Sequence, residues 1–145
     1  MKKILFIILS CLTLTSCSFG HIEDSNGVDD YSLVTITNEE IIDNSNFYVQ
    51  TMSSQVVING KYTVKINKFS GVKSINDFNK QGQQITINST ITLNEGNLKI
   101  CLVNEHEIEY EFNLFGSDSY TFKVGNDCKL VIAGESANFK MEYTI

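Results

Sequence analysis

No arginine occurs in this chain; eleven lysines face seventeen acidic residues, for a net charge of −6. An acidic chain without guanidinium groups grips phosphate backbones poorly, which removes nucleic acid from the expected partners. Tryptophan is also absent, so a sugar-binding platform would have to be built from Phe and Tyr. Histidine is limited to His21 and His106. Nucleophilic catalysis needs a nucleophile, a base and an orienting group held together. His21 lies in a polar acidic stretch, and His106 falls between Glu105 and Glu107 at an expected hairpin tip. Neither is positioned as a base, and no His/Cys cluster has zinc-ligand spacing. No catalytic residue, metal site or cofactor is therefore expected, and the chain reads as a non-enzyme. A long helical period is missing too: residues 55–145 alternate with period two.

What is present begins with Lys2 and Lys3, an apolar run over residues 4–14, and then Leu14-Thr15-Ser16-Cys17. Charged, apolar and small-residue regions in that order make a secretory signal. The Leu-Thr-Ser-Cys ending resembles the lipobox of bacterial lipoproteins. That resemblance implies cleavage before Cys17, a diacylglycerol on its sulfur and acylation of the new N-terminus. Two or more acyl chains give stable anchoring where one gives only marginal binding. Ile8-Leu9-Ser10-Cys11 is a decoy, because using Cys11 would leave too short an apolar run.

The expected organisation is a signal peptide over residues 1–16, a lipid-anchored tether over 17–30 and one domain over 31–145, at the extracytoplasmic face of the bacterial cell membrane. Loss of Lys2 and Lys3 with the signal would take the net charge from −6 to −8. The remaining 129 residues (145 − 16) suit a single domain that needs no disulfide or metal to fold. Residues 18–30 are polar and aperiodic, and as a random coil would hold the domain about 20 Å from the membrane. Their acids, Glu23, Asp24, Asp29 and Asp30, lack the regular spacing of a calcium loop.

Within the domain, Leu33-Val34-Thr35-Ile36-Thr37 has β composition and opens a first strand, while Thr37-Asn38-Glu39-Glu40 fits a capping box for one helical turn through Ile41 and Ile42. Asn59-Gly60 between two β-rich runs specifies a type I′ hairpin, with Tyr62, Val64 and Ile66 on one face. Phe69 breaks that parity and calls for a bulge near Asn67-Lys68. Ser70-Gly71, Glu95-Gly96, Gly116-Ser117-Asp118, Gly125-Asn126-Asp127 and Gly134-Glu135-Ser136 read as turns separating short strands. Glu95-Gly96 would set Leu93 opposite Leu98. A three-residue tip, Asn104-Glu105-His106, would set Leu102 beside Ile108, Ile100 beside Tyr110 and Lys99 beside Glu111. Short alternating strands at this spacing predict an all-β, antiparallel β-sandwich, jelly-roll-like.

Gly60-Lys61-Tyr62-Thr63-Val64, Phe69-Ser70-Gly71, Gly96-Asn97-Leu98-Lys99-Ile100 and Leu130-Val131-Ile132-Ala133-Gly134 leading to Phe139 carry a further resemblance. They make the segment from about Gly60 onward similar to small single-domain surface lipoproteins of low-GC Gram-positive bacteria. The Lys, Asn and Ile richness also looks like an AT-rich bacterial genome, a statement about codons alone. The arrangement looks like jelly-roll sandwiches serving as accessory domains and carbohydrate-binding modules of secreted enzymes. These motifs specify a fold and carry no chemistry.

The expected function is a monomeric, membrane-anchored, non-catalytic binding or interaction module of the cell envelope. Its partners are the membrane, through lipid on Cys17, and an envelope protein or glycan. The alternatives are a carbohydrate-binding module and a glycan or cell-wall hydrolase using scattered carboxylates. Most aromatics fall on apolar parity; Phe115, Phe47 and Tyr48 do not, and are the candidate ligand contacts, with core burial as the competing reading. Glu107, Glu109 and Glu111 form an outward stripe read as a solvated face rather than a calcium site. Cys101 and Cys128 are the two cysteines left for a disulfide after processing. Parity places them on opposite faces, so the reading is two free thiols, with Cys128 buried and Cys101 the more accessible.

Overall fold

The computed structural model describes residues 35–43 and 46–145. The expected signal segment, Cys17, the expected tether with His21, and Leu33-Val34 lie outside those residues. The elements are α1 (Asn38–Asp43), β1 (Tyr48–Val49), β2 (Met52–Ile58), β3 (Lys61–Phe78), β4 (Gln84–Asn104), β5 (Glu107–Glu111), β6 (Phe115–Lys123) and β7 (Cys128–Thr144). All seven strands form one antiparallel sheet in the order β1-β3-β7-β4-β5, with β2 also paired to β3 and β6 to β4. The sheet does not close into a barrel.

Three strands are long: β3 has 18 residues, β4 has 21 and β7 has 17. The turns expected at Ser70-Gly71, Glu95-Gly96 and Gly134-Glu135-Ser136 are instead irregularities inside these strands, and Gly116-Ser117-Asp118 lies within β6. Leu93 and Leu98 therefore belong to one strand rather than facing each other. The irregularities line up across the sheet, since the register jumps from Ile66↔Phe139 to Phe69↔Ala137 and from Leu93↔Phe139 to Glu95↔Asn138. Lys68 and Ser136 take positive φ at this seam, as do Gly71 and Gly96. A bulge bends its strand, and three in register bend the whole sheet.

Side chains stitch the seam together. Lys68 N donates to Asn138 Oδ1 at 2.6 Å, and Asn138 Nδ2 donates to Glu95 Oε2 at 2.6 Å. Ser136 N donates to Ser70 Oγ at 2.9 Å.

The bend folds the sheet into two layers. The first holds β2, residues 61–67 of β3, 137–144 of β7, 84–93 of β4, and β6. The second holds β1, residues 71–78 of β3, 128–134 of β7, 97–104 of β4, and β5. Across the gap Phe78 meets Phe122 edge-on at 5.3 Å, and Tyr110 stacks on Tyr120 at 4.0 Å. The fold is an all-β sandwich made from one sheet turned over on itself. Its core holds Val64, Ile66, Ile87, Ile91, Leu130, Phe139 and Met141, the inward positions of alternating strands.

The second layer is buried on both faces. Ile100, Leu102, Leu130 and Ile132 face the core, while Val72, Cys101, Val103, Val131 and Ala133 face outward into a smaller cluster closed by Ile41 of α1. α1 starts with the expected capping box: Thr37 N donates to Glu40 Oε2 at 2.7 Å and Glu40 N to Thr37 Oγ1 at 3.3 Å. No strand precedes it among the described residues; Thr35 to Thr37 are bend and coil. Six residues cannot sustain a helix in water, so α1 depends on the burial of Ile41.

Two further expectations need correction. The β4–β5 tip has two residues, Glu105 and His106, both at positive φ, and the pairs are Asn104↔Glu107, Val103↔Ile108 and Leu102↔Tyr110. The shift between the last two pairs makes Glu109 a bulge, which sends Ile108 to the outer cluster and Tyr110 to the core. Cys101, read as the more accessible thiol, is fully buried because α1 covers its face.

Candidate functional site

The two long margins of the sandwich differ in how they end. On one, β5 and β6 lie in different layers and are clasped by side chains. Tyr110 Oη donates to Asp118 at 3.0 Å, Tyr120 Oη to Glu109 Oε1 at 3.1 Å, and Asn104 Nδ2 to Glu109 Oε2 at 2.6 Å. Asp118 also accepts from Asn113 N at 2.9 Å and Ser119 N at 2.8 Å. The Asn113 amide holds the Asp118 carboxyl below the usual range, against the opposing effect of partial burial, with Tyr110 and Ser119 adding to the depression. The Tyr110 phenol is raised in turn, first by its bond to that carboxylate. The bulge takes Glu109 out of the expected glutamate stripe, while Glu111 lies beside Lys99 at 3.6 Å, as the sequence pairing placed it. Among the described residues no group of three or more His, Cys, Asp or Glu could hold a metal ion.

The other margin is β1 and β2, which run one after the other along β3 from Tyr48↔Gly71 to Ile58↔Lys61. Among the described residues neither pairs with any other strand. The Asn59-Gly60 turn, with φ of 51° and 76°, fixes this register. Every residue of β2 is exposed. Seven of the nine large exposed hydrophobic side chains among the described residues fall here: Phe47, Tyr48, Val49, Met52, Val56, Val57 and Ile58, with Val49 at 72 % and Ile58 at 64 %. β2 is also, among the described residues, the only strand longer than two residues without a charged side chain. Proteins usually guard an edge with lysine, proline or a bulge; Met52–Ile58 has none of these. The strand hydrogen-bonds to the second layer through Gln55 Nε2 and Ile75 O at 3.1 Å.

The sequence singled out Phe47, Tyr48 and Phe115, and the structure separates them. Phe47 and Tyr48 stand on the β1 margin. Phe47 O accepts from Val72 N at 2.9 Å, the Tyr48 ring lies 6.0 Å from Phe69, and Lys73 Nζ sits 4.6 Å over it. With Ile36, Gly71 and Gly134 they border a depression of about 620 Å³ at the bend. Gly71 is required there: at φ of 115° an added Cβ would lie 2.1 Å from Phe47 O. Phe115 is on β6 at the opposite side of the sheet, 51 % exposed, paired with Thr92. Its neighbours on that face are Ser117 and Ser119, bonded to Thr90 and Asn88. Asn88, Thr90, Ser117 and Ser119, with Lys61 and Glu142, border a shallow groove of about 480 Å³, of which Phe115 is not itself a lining residue. Lys140 and Lys61 hold the Glu142 carboxyl below its usual range.

Cys101 and Cys128 are free thiols on opposite faces of the second layer. Burial pushes Cys101 up to about 12, with Glu111 adding to it and Lys99 opposing, and pushes Cys128 up to about 11. Neither is poised as a nucleophile. Sequence reasoning missed the β2 edge, although the uncharged run Met52-Ser53-Ser54-Gln55-Val56-Val57-Ile58 was its signal.

The class defined by this geometry is an all-β antiparallel sandwich with one clasped margin and one apolar, unguarded margin. Compared with known proteins, the chain matches no family model, no curated protein and no solved structure.

Proposed function

We propose that this chain is a non-catalytic binding module of the bacterial cell envelope, anchored at the extracytoplasmic face through lipid on Cys17, which receives its partner on the β1–β2 margin. The observation that carries this reading is the gathering of exposed apolar side chains on a strand edge without charge, proline or bulge. Such an edge offers backbone donors and acceptors to an added strand and apolar side chains beside them. The resemblance of Leu14-Thr15-Ser16-Cys17 to a lipobox supports the anchor.

A photoreactive residue at Val49, Val56 or Ile58 of the full chain should give adducts in intact cells, whereas one at Ser119 or Thr121 should give few. Equal labelling from both sets overturns the assignment of the edge. Cys17→Ala should release the protein or leave its precursor unprocessed. A mature-sized variant retained on the membrane overturns the anchor.

A second reading, carbohydrate binding on this face of β6, is favoured by the exposed Phe115 ring, which stands two positions before Ser117 of the hydroxyl- and amide-lined groove. Phe115→Ala should then abolish glycan-array binding while leaving the edge adducts unchanged. Glycan binding that survives the substitution rules out that site.

A further inference from the structure

We propose that the partner of the β2 edge is a second copy of this chain, joined through an antiparallel β2–β2 ladder centred on Gln55. The inference rests on the reading of this edge as the binding surface, and it replaces the monomer expected from the sequence. The edge is open along all seven residues of β2 among the described residues, and none of them carries charge or proline. A second copy brings the same net charge of −6, so two copies approach best where neither presents charge. β2 is the longest such strand among the described residues.

The strand also complements itself. About a two-fold axis at Gln55, Met52 faces Ile58 of the other copy, Ser53 faces Val57 and Ser54 faces Val56, while Gln55 stands opposite its own copy. No pair sets two charges together, and the largest side chains, Met52 and Ile58, fall opposite one another at both ends. A two-fold interface must match in this way, because each residue pair occurs twice. The clasped margin has no equivalent, since a β5–β5 ladder centred on Glu109 would set Glu109 against its own copy and Glu107 against Glu111.

The ladder spans about 24 Å at the rise of an antiparallel strand. One such seam lies at the small end of stable interfaces, so association should depend on concentration. Confinement of two anchored copies to one membrane would raise their effective concentration.

Disulfide trapping in the full chain tests this, with Cys101 and Cys128 buried and held up to about 12 and about 11. The parent chain, with all four native cysteines, sets the baseline. Under mild oxidation Gln55→Cys should cross-link to itself well above that baseline and above Thr121→Cys. Met52→Cys and Ile58→Cys should cross-link when mixed and not when each is alone. As a variant that leaves the edge otherwise intact, Val56→Lys should weaken dimerisation at least about tenfold in sedimentation, because the two introduced lysines lie diagonally across the seam.

Self-cross-linking at Gln55→Cys no higher than at Thr121→Cys overturns the proposal, as does an unchanged sedimentation profile for Val56→Lys. If the chain stays monomeric while edge photoprobes capture other molecules, the dimer is wrong and the binding edge stands. If both are silent, the reading of the edge falls as well.

Discussion

Replacing Ile41 by alanine should uncover Cys101 without unfolding the sandwich. Ile41 is fully buried, and its contacts are the outer residues of the second layer, among them Cys101, Val103 and Val131. Ile→Ala at such a site costs about 2–5 kcal/mol, and a middle value of about 3 is reasonable here. A six-residue helix has no stability of its own to absorb that loss, so the cost falls on its docking. At 1.4 kcal/mol per factor of ten, undocking should rise by about two orders of magnitude. Undocking also relieves the burial that holds the Cys101 thiol up at about 12, so the exposed thiol ionises more readily and both effects speed its reaction. The assay is the time course of alkylation of the native full chain at mildly alkaline pH, with each cysteine followed by mass spectrometry. Cys128 belongs to the inner core and should keep its slow rate. An unchanged Cys101 rate would refute the view that α1 is its cover. Equal acceleration of Cys128 would show that the whole domain had opened instead.

Thr37→Ala removes one half of the capping box and should cost about 1 kcal/mol, accelerating Cys101 alkylation about fivefold in the same assay. Gly71→Ala combines a positive φ with a clash on Phe47 O and should lower stability by at least about 2 kcal/mol. Gly82→Ala, also at positive φ but with nothing within 4 Å, should cost about 1 kcal/mol, and thermal melts of the two variants decide whether the clash matters. Asp118→Asn should weaken the clasped margin in a pH-dependent way. The folded carboxyl is depressed, so its stabilisation is fully present above the unfolded value of about 3.9 and is lost as pH falls through the folded value. The denaturant midpoints of wild type and Asp118→Asn should therefore differ near neutral pH and converge in acid; a gap that persists in acid would contradict the assignment.

Alternation along the chain determined which faces meet in the core. Val64 with Ile66, Ile87 with Ile91, and Phe139 with Met141 and Tyr143 are all buried on one side, because a period-two strand has only two faces to offer. Asn59-Gly60, the Thr37–Glu40 capping box and the bulge at Lys68 were equally legible, each being a local demand met by a local residue type. Tertiary structure alone decided whether Gly71, Gly96 and the Gly134–Ser136 stretch reverse the chain or merely bend it. A positive φ serves a hairpin turn and a bulge equally well. The choice rests on alignment with the neighbouring strand, as Phe69↔Ala137 and Glu95↔Asn138 show. The same limit applied to Cys101. Ile100 to Val103 and Leu130 to Ala133 are unbroken apolar runs, the mark of strands covered on both faces. What covers the second face is a helical turn some sixty residues earlier in the chain, and only the folded protein brings Ile41 to it.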